Sequence, residues 1–220
     1  MNFMRYIFLP SNAEMRLRIL HALDKPVDKL TVSEICQASG VSRQTFYRNF
    51  ASKYDIAFWF LGLIDSLYLG EIGRSLSWTK GHELALSMLY EEHDYLKFAF
   101  AENPDVRAVE KRLKIRYETV IETLQDFKKA HIDDELLYFA RFYVFTGEAL
   151  IVEWCLSNTP YPPAIFKKYF SACMPERLRN LLNEPAAPVT RDQQRKIVTT
   201  GTAAAHAHTD GRLSCAAMHA

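Results

Sequence analysis

Five polar side chains in one short stretch of this chain can hydrogen-bond to base edges and to phosphate groups. They are Arg43, Gln44, Thr45, Tyr47 and Arg48. Arginine pairs twice with guanine and glutamine twice with adenine, whereas threonine and tyrosine commonly bond phosphate oxygens. From position 37 to position 54 the sequence holds three basic residues and no acidic residue. A nucleic-acid duplex suits such a surface, and a solvated helix face that happens to be basic is the alternative interpretation.

The helix that carries these side chains needs a preceding helix and a tight turn to position it. Thr31 followed by Glu34 forms a capping-box pattern, which predicts that the preceding helix begins near Val32. Gly40 is expected to end that helix, because glycine adopts the left-handed backbone conformation without strain. The pattern therefore predicts one short helix followed directly by a turn.

The second helix is predicted over residues 43–49, with Ser42 as its N-terminal cap. Phe46 and Phe50 share an inward face because side chains at this spacing lie one above the other on a helix. The polar residues between them are then left on the outward face. Two short helices joined by a tight turn form a helix-turn-helix, whose second helix fits the major groove of DNA.

Residues 31–56 resemble the DNA-binding signature of TetR/AcrR transcriptional regulators. The shared features are an alanine and a glycine at the turn, then Val-Ser, a Thr-aromatic-Tyr triplet, a Phe, and Ser-Lys before the next helix. The sequence from Lys29 to Tyr47 is most similar to the sequences of the branch that includes dihydroxyacetone-kinase operon regulators. The resemblance implies a helical fold, a homodimer on a palindromic DNA operator, and modulation by a small-molecule effector.

The resemblance also implies roles for individual residues. The residues to which it assigns DNA contacts are Thr31, Ser42, Arg43, Gln44, Thr45, Tyr47, Arg48, Asn49 and Lys53. Of these, Arg43, Gln44 and Thr45 are expected to face the bases. Gln44 stands where many family members have glycine, so an operator sequence cannot be borrowed from a relative. Asn49 replaces a common histidine and can still hydrogen-bond a phosphate.

Helical periodicity continues through the rest of the chain, and no alternating strand pattern of useful length occurs, so the predicted fold class is all-α. The predicted helices cover 13–23, 53–74, 80–92, 94–101, 105–129, 133–156 and 162–182. Ser52 is expected to cap the helix over 53–74, which places Lys53 in its first turn. The expected divisions are an arm over 1–12, a helix-turn-helix domain over 13–57, an effector-binding and dimerisation domain over 58–183, and a disordered tail over 184–220.

The predicted helix over 133–156 is apolar on more than one face and therefore needs cover on two sides. We expect it to form a homodimer interface together with the segment over 162–182, with Gly147 and Ala149 allowing close approach of helices. The alternative is a helix buried wholly within its own subunit.

Aromatic residues after position 58 are candidates for an effector pocket that takes an apolar or aromatic molecule. The candidates are Phe100, Tyr117, Tyr138, Phe142 and Tyr143. The alternative for each of them is ordinary core packing. Arg116 and Glu148 are either polar anchors in such a pocket or solvated surface residues, and the sequence leaves both readings open.

Composition excludes several classes of protein. A net charge of +1 means that DNA affinity must come from a local patch rather than from bulk charge. The four cysteines are widely spaced, which argues against a zinc site and favours reduced thiols in a cytoplasm. No apolar stretch approaches the length of a membrane span.

No sequence motif of a known catalytic type occurs, so we expect no enzyme activity, no cofactor and no metal. Two alternatives remain: a co-regulator of similar fold that acts through protein partners without touching DNA, and a small helical ligand-binding protein or enzyme. Arg43, Tyr47 and Lys53 favour DNA binding, because a co-regulator without DNA contact could dispense with all three.

Overall fold

The computed structural model of the protein describes residues 12–102 and 104–185. Over these residues it consists of helices and connecting loops, with a single isolated bridge between Ile72 and Leu76, and the predicted all-α class is confirmed. The helices in this part of the chain are α1 (Ala13–His21), α2 (Val32–Ser39), α3 (Arg43–Asn49), α4 (Asp55–Leu67), α5 (Trp78–Glu91), α6 (His93–Ala99), α7 (Val106–Glu122), α8 (Asp134–Leu156), α9 (Pro163–Cys173) and α10 (Glu176–Asn183).

Helices α1 to α3 pack around side chains that their periodicity directs inward. Leu20, Ile35 and Phe46 are fully buried, and Phe60 of α4 continues the same core. The bounds of α2 and α3 confirm the sequence prediction, whereas α1 ends at His21, before the predicted end at position 23. These helices form the three-helix unit that a helix-turn-helix requires.

Helix α4 is shorter than predicted at both ends. The Ser52 hydroxyl accepts a hydrogen bond from the Tyr54 N–H at 3.2 Å, but this cap closes a turn, and helical geometry begins only at Asp55. Lys53 therefore lies in the turn before α4 rather than in its first helical turn. At the other end the predicted continuation to position 74 is wrong, because the chain leaves the helix after Leu67 and turns through a left-handed Gly73 with φ of 80°.

Two long helices predicted in the C-terminal half are interrupted. The segment over 162–182 divides into α9 and α10, because Pro175 holds the preceding Met174 in an extended conformation with ψ of 140°. The segment over 105–129 is α-helical only as far as Glu122 and then widens into a π turn over Thr123–Phe127. The prediction over 133–156 is confirmed by α8, whose first turn is capped by the Asp133 carboxylate accepting from the Leu136 N–H at 2.9 Å.

Charged side chains tie α4 to α7 and α7 to α8. The carboxylate of Asp65 on α4 accepts from Arg112 at 2.7 Å and from Arg116 at 2.9 Å, and both arginines belong to α7. Arg112 also forms an ion pair with the buried Glu148 of α8. Arg116 and Glu148 are thus buried and paired with other charges, which excludes the solvated-surface reading for both.

These ion pairs are linked to α5 by a chain of hydrogen bonds in which the donor and the acceptor of each bond can be assigned. The Trp78 carbonyl can only accept, so the His82 Nδ1 that lies 2.8 Å away carries the proton. Burial lowers the pKa of His82 to about 3, so its Nε2 is unprotonated and accepts from the Tyr143 hydroxyl at 3.2 Å. That hydroxyl in turn accepts from Arg116 at 3.4 Å. We call Asp65, Arg112, Arg116, Glu148, Tyr143 and His82 the buried network.

Helix α1 is joined to the junction of α5 and α6 through the side chain of His21. The ring of His21 donates a hydrogen bond to the carboxylate of Glu92 at 2.6 Å. The same ring lies against Tyr95 of α6, with 4.5 Å between the ring centroids. The unit built from α1 to α3 is therefore attached to the C-terminal helices at a point other than α4.

Two negative findings apply to the part of the chain that the structure describes. None of its helices has the length and apolar character needed to cross a membrane. It contains no group of three or more histidine, cysteine, aspartate or glutamate side chains placed to hold a metal ion. The predicted arm over 1–12, apart from Asn12, and the predicted tail from 186 onward lie outside the described residues.

Candidate nucleic-acid interface

The turn between α2 and α3 is held by local hydrogen bonds. The Thr31 hydroxyl accepts from the Glu34 N–H at 3.2 Å, and the Glu34 carboxylate accepts from the Thr31 N–H at 2.7 Å, which completes the predicted capping box. Gly40 ends α2 with φ of 68°. Ser42 then caps α3 by accepting from the Thr45 N–H at 3.0 Å. These bonds fix where α3 begins and which way it points.

Helix α3 presents its polar side chains to solvent. Phe46 and Phe50 are buried beneath it, so the positions between them face outward. We call the outward set, Arg43, Gln44, Thr45, Tyr47 and Arg48, the recognition ridge. Thr45 is half-buried beside its cap, and the other four members are exposed. The outward face predicted from the sequence is thus present in the structure.

Arg43 is held in place at the first turn of this ridge. Its Nη1 donates to the Ser33 hydroxyl of α2 at 2.9 Å, and its guanidinium carbon lies 6.0 Å from the centroid of the Tyr47 ring. Pairing with a base edge needs a planar guanidinium in a defined orientation. Ser33 was missed by sequence reasoning, since nothing in its local pattern indicates a partner in the next helix.

Thr31, Ser42 and Lys53 border the ridge but already have partners. The Thr31 hydroxyl donates to the Glu34 carboxylate at 2.8 Å, and the Ser42 hydroxyl shares a 2.9 Å hydrogen bond with Thr45. The ammonium of Lys53 donates to the Leu30 carbonyl at 2.6 Å, which fixes its charge beside the start of α2. Carbonyl oxygens leave the positive charge of the lysine intact.

Asn49 points back at its own domain rather than outward. Its amide nitrogen donates to the Thr45 carbonyl at 2.9 Å, and its amide oxygen accepts from Arg16 of α1 at 3.2 Å. The amide nitrogen also donates to the Met15 sulfur at 3.4 Å, so a phosphate contact by this side chain would break at least one of the three bonds. Arg16, which also lies 5.4 Å from the Phe50 ring centroid, was missed by sequence reasoning because it is distant in sequence.

The five pocket candidates are not brought together. Phe100 lines a cavity of about 310 Å³ beside the start of α4, and none of the other four lines that cavity. Tyr143 is buried in the network described above and Tyr117 is half-buried against the core. Tyr138 and Phe142 are 68% and 37% exposed on the outer face of α8, which is not the interior of a pocket within one chain.

Helix α3 is polar, exposed and free of acidic residues, and it follows a capped turn in a three-helix unit. These features are typical of DNA-binding helix-turn-helix proteins. Residues 22–58 match the family model described as bacterial regulatory proteins, tetR family. This stretch, which includes α2 and α3, is therefore similar to the N-terminal domain of that family, and the similarity supports a role as a DNA-binding transcriptional regulator. A comparison with curated proteins gave no match.

Proposed function

We propose that this chain is a homodimeric transcriptional regulator that binds a two-fold symmetric operator through the recognition ridge and responds to a small-molecule effector. The observation that carries this proposal is the exposure of the ridge on a helix whose start is fixed by the Ser42 cap. A protein with this task works on chromosomal DNA, so we place it in the cytoplasm. The closeness to dihydroxyacetone-kinase operon regulators stays a prediction.

The proposed contacts divide by chemistry. Arg43 and Gln44, at the exposed first turn of α3, are assigned to base edges, and Thr45 lies behind them at the same end. Tyr47, Arg48 and Lys53 are assigned to phosphates, together with the capping residues Thr31 and Ser42. Asn49 is assigned a positioning role, because its amide links α3 to α1.

The homodimer proposal is supported by an apolar stripe on the outer face of α8 and α9. On α8 the residues Tyr138, Phe142, Phe145, Ala149 and Leu156 are exposed and recur at the alternating spacing of a helix–helix seam. Ile165 and Tyr169 are exposed apolar side chains of α9. An exposed row of apolar side chains such as that on α8 is typical of an association site. Gly147 serves a different contact from the one expected, because a Cβ there would lie 3.2 Å from Phe170 of the same chain.

A mobility-shift assay with operator sequences selected from random DNA tests the ridge. The double variant Arg43→Ala, Tyr47→Ala is expected to lose about 100-fold in affinity for the selected operator, from lost base pairing and a lost phosphate contact. Arg107→Ala, at an exposed arginine outside the domain, is the matched control and should bind as the unaltered chain does. Equal affinity of the double variant would place the DNA contact elsewhere.

Light scattering after size-exclusion chromatography tests the dimer. Phe145→Arg puts a charge in the centre of the stripe and is expected to give a monomer at micromolar concentration. Ile115→Arg is the matched control, because Ile115 is an exposed apolar residue on α7, outside the stripe. A monomeric unaltered chain, or a dimeric Phe145→Arg variant, would count against this interface.

A further inference from the structure

The cavity beside the start of α4 is lined by aromatic, acidic and small side chains. Its volume of about 310 Å³ is at the lower end of small-molecule sites. Three aromatic side chains, Tyr54, Phe58 and Phe100, and two carboxylates, Asp55 and Asp105, line it. The other lining residues that the structure describes are serine, alanine and proline, so none of the described lining is basic.

This lining has an electrostatic preference. Aromatic rings carry a negative face that attracts cations, and the attraction is largest for ammonium groups that have shed their water. One carboxylate oxygen of Asp55 accepts a hydrogen bond from the Ser52 N–H at 2.7 Å. One carboxylate oxygen of Asp105 accepts a hydrogen bond from the Arg107 N–H at 3.0 Å. Both carboxylate groups line the cavity. The two carboxylates disfavour an anion in this cavity, and a cation gains more from the two negative charges than a neutral ligand does.

We propose that this cavity is a binding site for a small organic cation that carries an aromatic or alkyl-substituted ammonium group. Tyr54, Phe58 and Phe100 surround the cationic head, while Asp55 and Asp105 balance its charge. The small side chains of Ala57 and Ala99 leave the room that the ligand occupies.

The site lies next to a residue assigned to phosphate binding. The ammonium of Lys53 is 5.1 Å from the centroid of the Tyr54 ring, which lines the cavity. A second cation on the cavity side of this ring repels Lys53 and competes for the same ring electrons. The ligand therefore acts as an effector that weakens DNA binding. This last step rests on the proposed function, whereas binding of the cation does not.

Ligand-observed NMR titration of the full chain tests the binding step. The probes are benzyltrimethylammonium, the neutral benzyl alcohol and the anionic benzenesulfonate. We expect benzyltrimethylammonium to bind at least about tenfold more tightly than either of the other two. Phe100→Leu and Asp105→Asn should each weaken it by about 5- to 30-fold. Asparagine caps a helix as well as aspartate does, so the second variant keeps the start of α7.

The control variants make the same types of substitution at residues that do not line the cavity. Phe98→Leu and Asp94→Asn alter an aromatic and an acidic residue of α6 that do not line the cavity, and binding should stay within about twofold. Absence of binding, equal affinity for the three probes, or equal losses in the controls would overturn the site. A mobility shift on the same preparation without probe reports on operator binding separately, so failure of the regulator proposal is distinguishable from failure of the cation site.

Discussion

The recognition ridge and the buried network each contain an arginine beside a tyrosine ring. Arg43 lies 6.0 Å from the Tyr47 ring centroid in solvent, and Arg116 lies 5.5 Å from that of Tyr143 in the interior. Arg43 gives one hydrogen bond to Ser33, whereas Arg116 bonds both Asp65 and Tyr143. The arginine–tyrosine pair of the recognition ridge is thus accessible to a ligand, whereas the pair of the buried network is bonded only to other residues of the chain.

This difference separates two kinds of effect. An exposed guanidinium with free donors contributes little to folding and much to a partner that can use those donors. A buried guanidinium has lost its water, so removing its counter-charge leaves an uncompensated ion in the interior. Substitutions in the network should therefore change the free energy of unfolding, and substitutions in the ridge should change the affinity for DNA.

The largest effect is expected from breaking the link between α4 and α7. Asp65→Asn removes the negative charge that holds Arg112 and Arg116 and is expected to lower the free energy of unfolding by about 3 kcal/mol. Urea denaturation followed by circular dichroism measures it. Asp94→Asn is the control, because the Asp94 carboxylate is 84% exposed and its pairing with Lys97 contributes at most about 1 kcal/mol. Similar losses in both variants would show that the buried pairing has no special weight.

Acidification tests the buried end of the network. His82 is neutral in the folded chain with a pKa of about 3, and its unfolded pKa is near 6.5, so the unfolded state binds more protons between these values. Stability is therefore lost as the pH falls below about 6.5, and His82 alone accounts for about 1.3 kcal/mol between pH 7 and pH 5.5. Denaturation of the unaltered chain and of His82→Gln at both pH values isolates this part. Parallel pH profiles of the two proteins would contradict a neutral, buried His82.

The smallest effect separates capping from DNA contact at Ser42, where the ridge begins. Ser42→Ala removes the cap and is expected to destabilise the chain by about 1 kcal/mol. Ser42→Asp keeps the cap, because aspartate caps the N-terminus of a helix as well as serine does. It also places a negative charge beside the expected phosphates. Its stability should match that of the unaltered chain while its operator affinity falls. Undiminished affinity of Ser42→Asp in a mobility-shift assay would remove Ser42 from the phosphate contacts.

The sequence predicts the ridge well because its determinants are local. Thr31, Gly40 and Ser42 act on backbone groups only a few residues away, and each bond is present in the structure. The helix breaks at Leu67 and Met174 were missed. In the second case Pro175 was present as a signal, and a proline disfavours helical geometry in the residue before it.

The buried network could not be predicted in this way, and for the apolar stripe the sequence predicts a second apolar face on the helix over 133–156 but not which residues form it. Asp65 and Arg116 are 51 residues apart in the sequence and meet only because α4 packs on α7. Whether an aromatic residue of α8 faces the core or the outside depends on which side its neighbours cover. Tyr138 and Tyr143 illustrate this, since one is 68% and the other 1% exposed on the same helix.

Helix α4 is anchored near its C-terminal end by charge pairing. Asp65 is clamped by two arginines near its C-terminal end, and Asp55 stands at its first residue, roughly 15 Å away at 1.5 Å per residue. A rigid tilt of about 5° around Asp65 would move Asp55 by about 1.3 Å, which exceeds the few tenths of an ångström that separate a good hydrogen bond from a poor one. In a two-fold symmetric dimer the two copies of α3 would move together. A modest rotation of α4 would then change their separation, so that it no longer matched the spacing of the DNA major grooves.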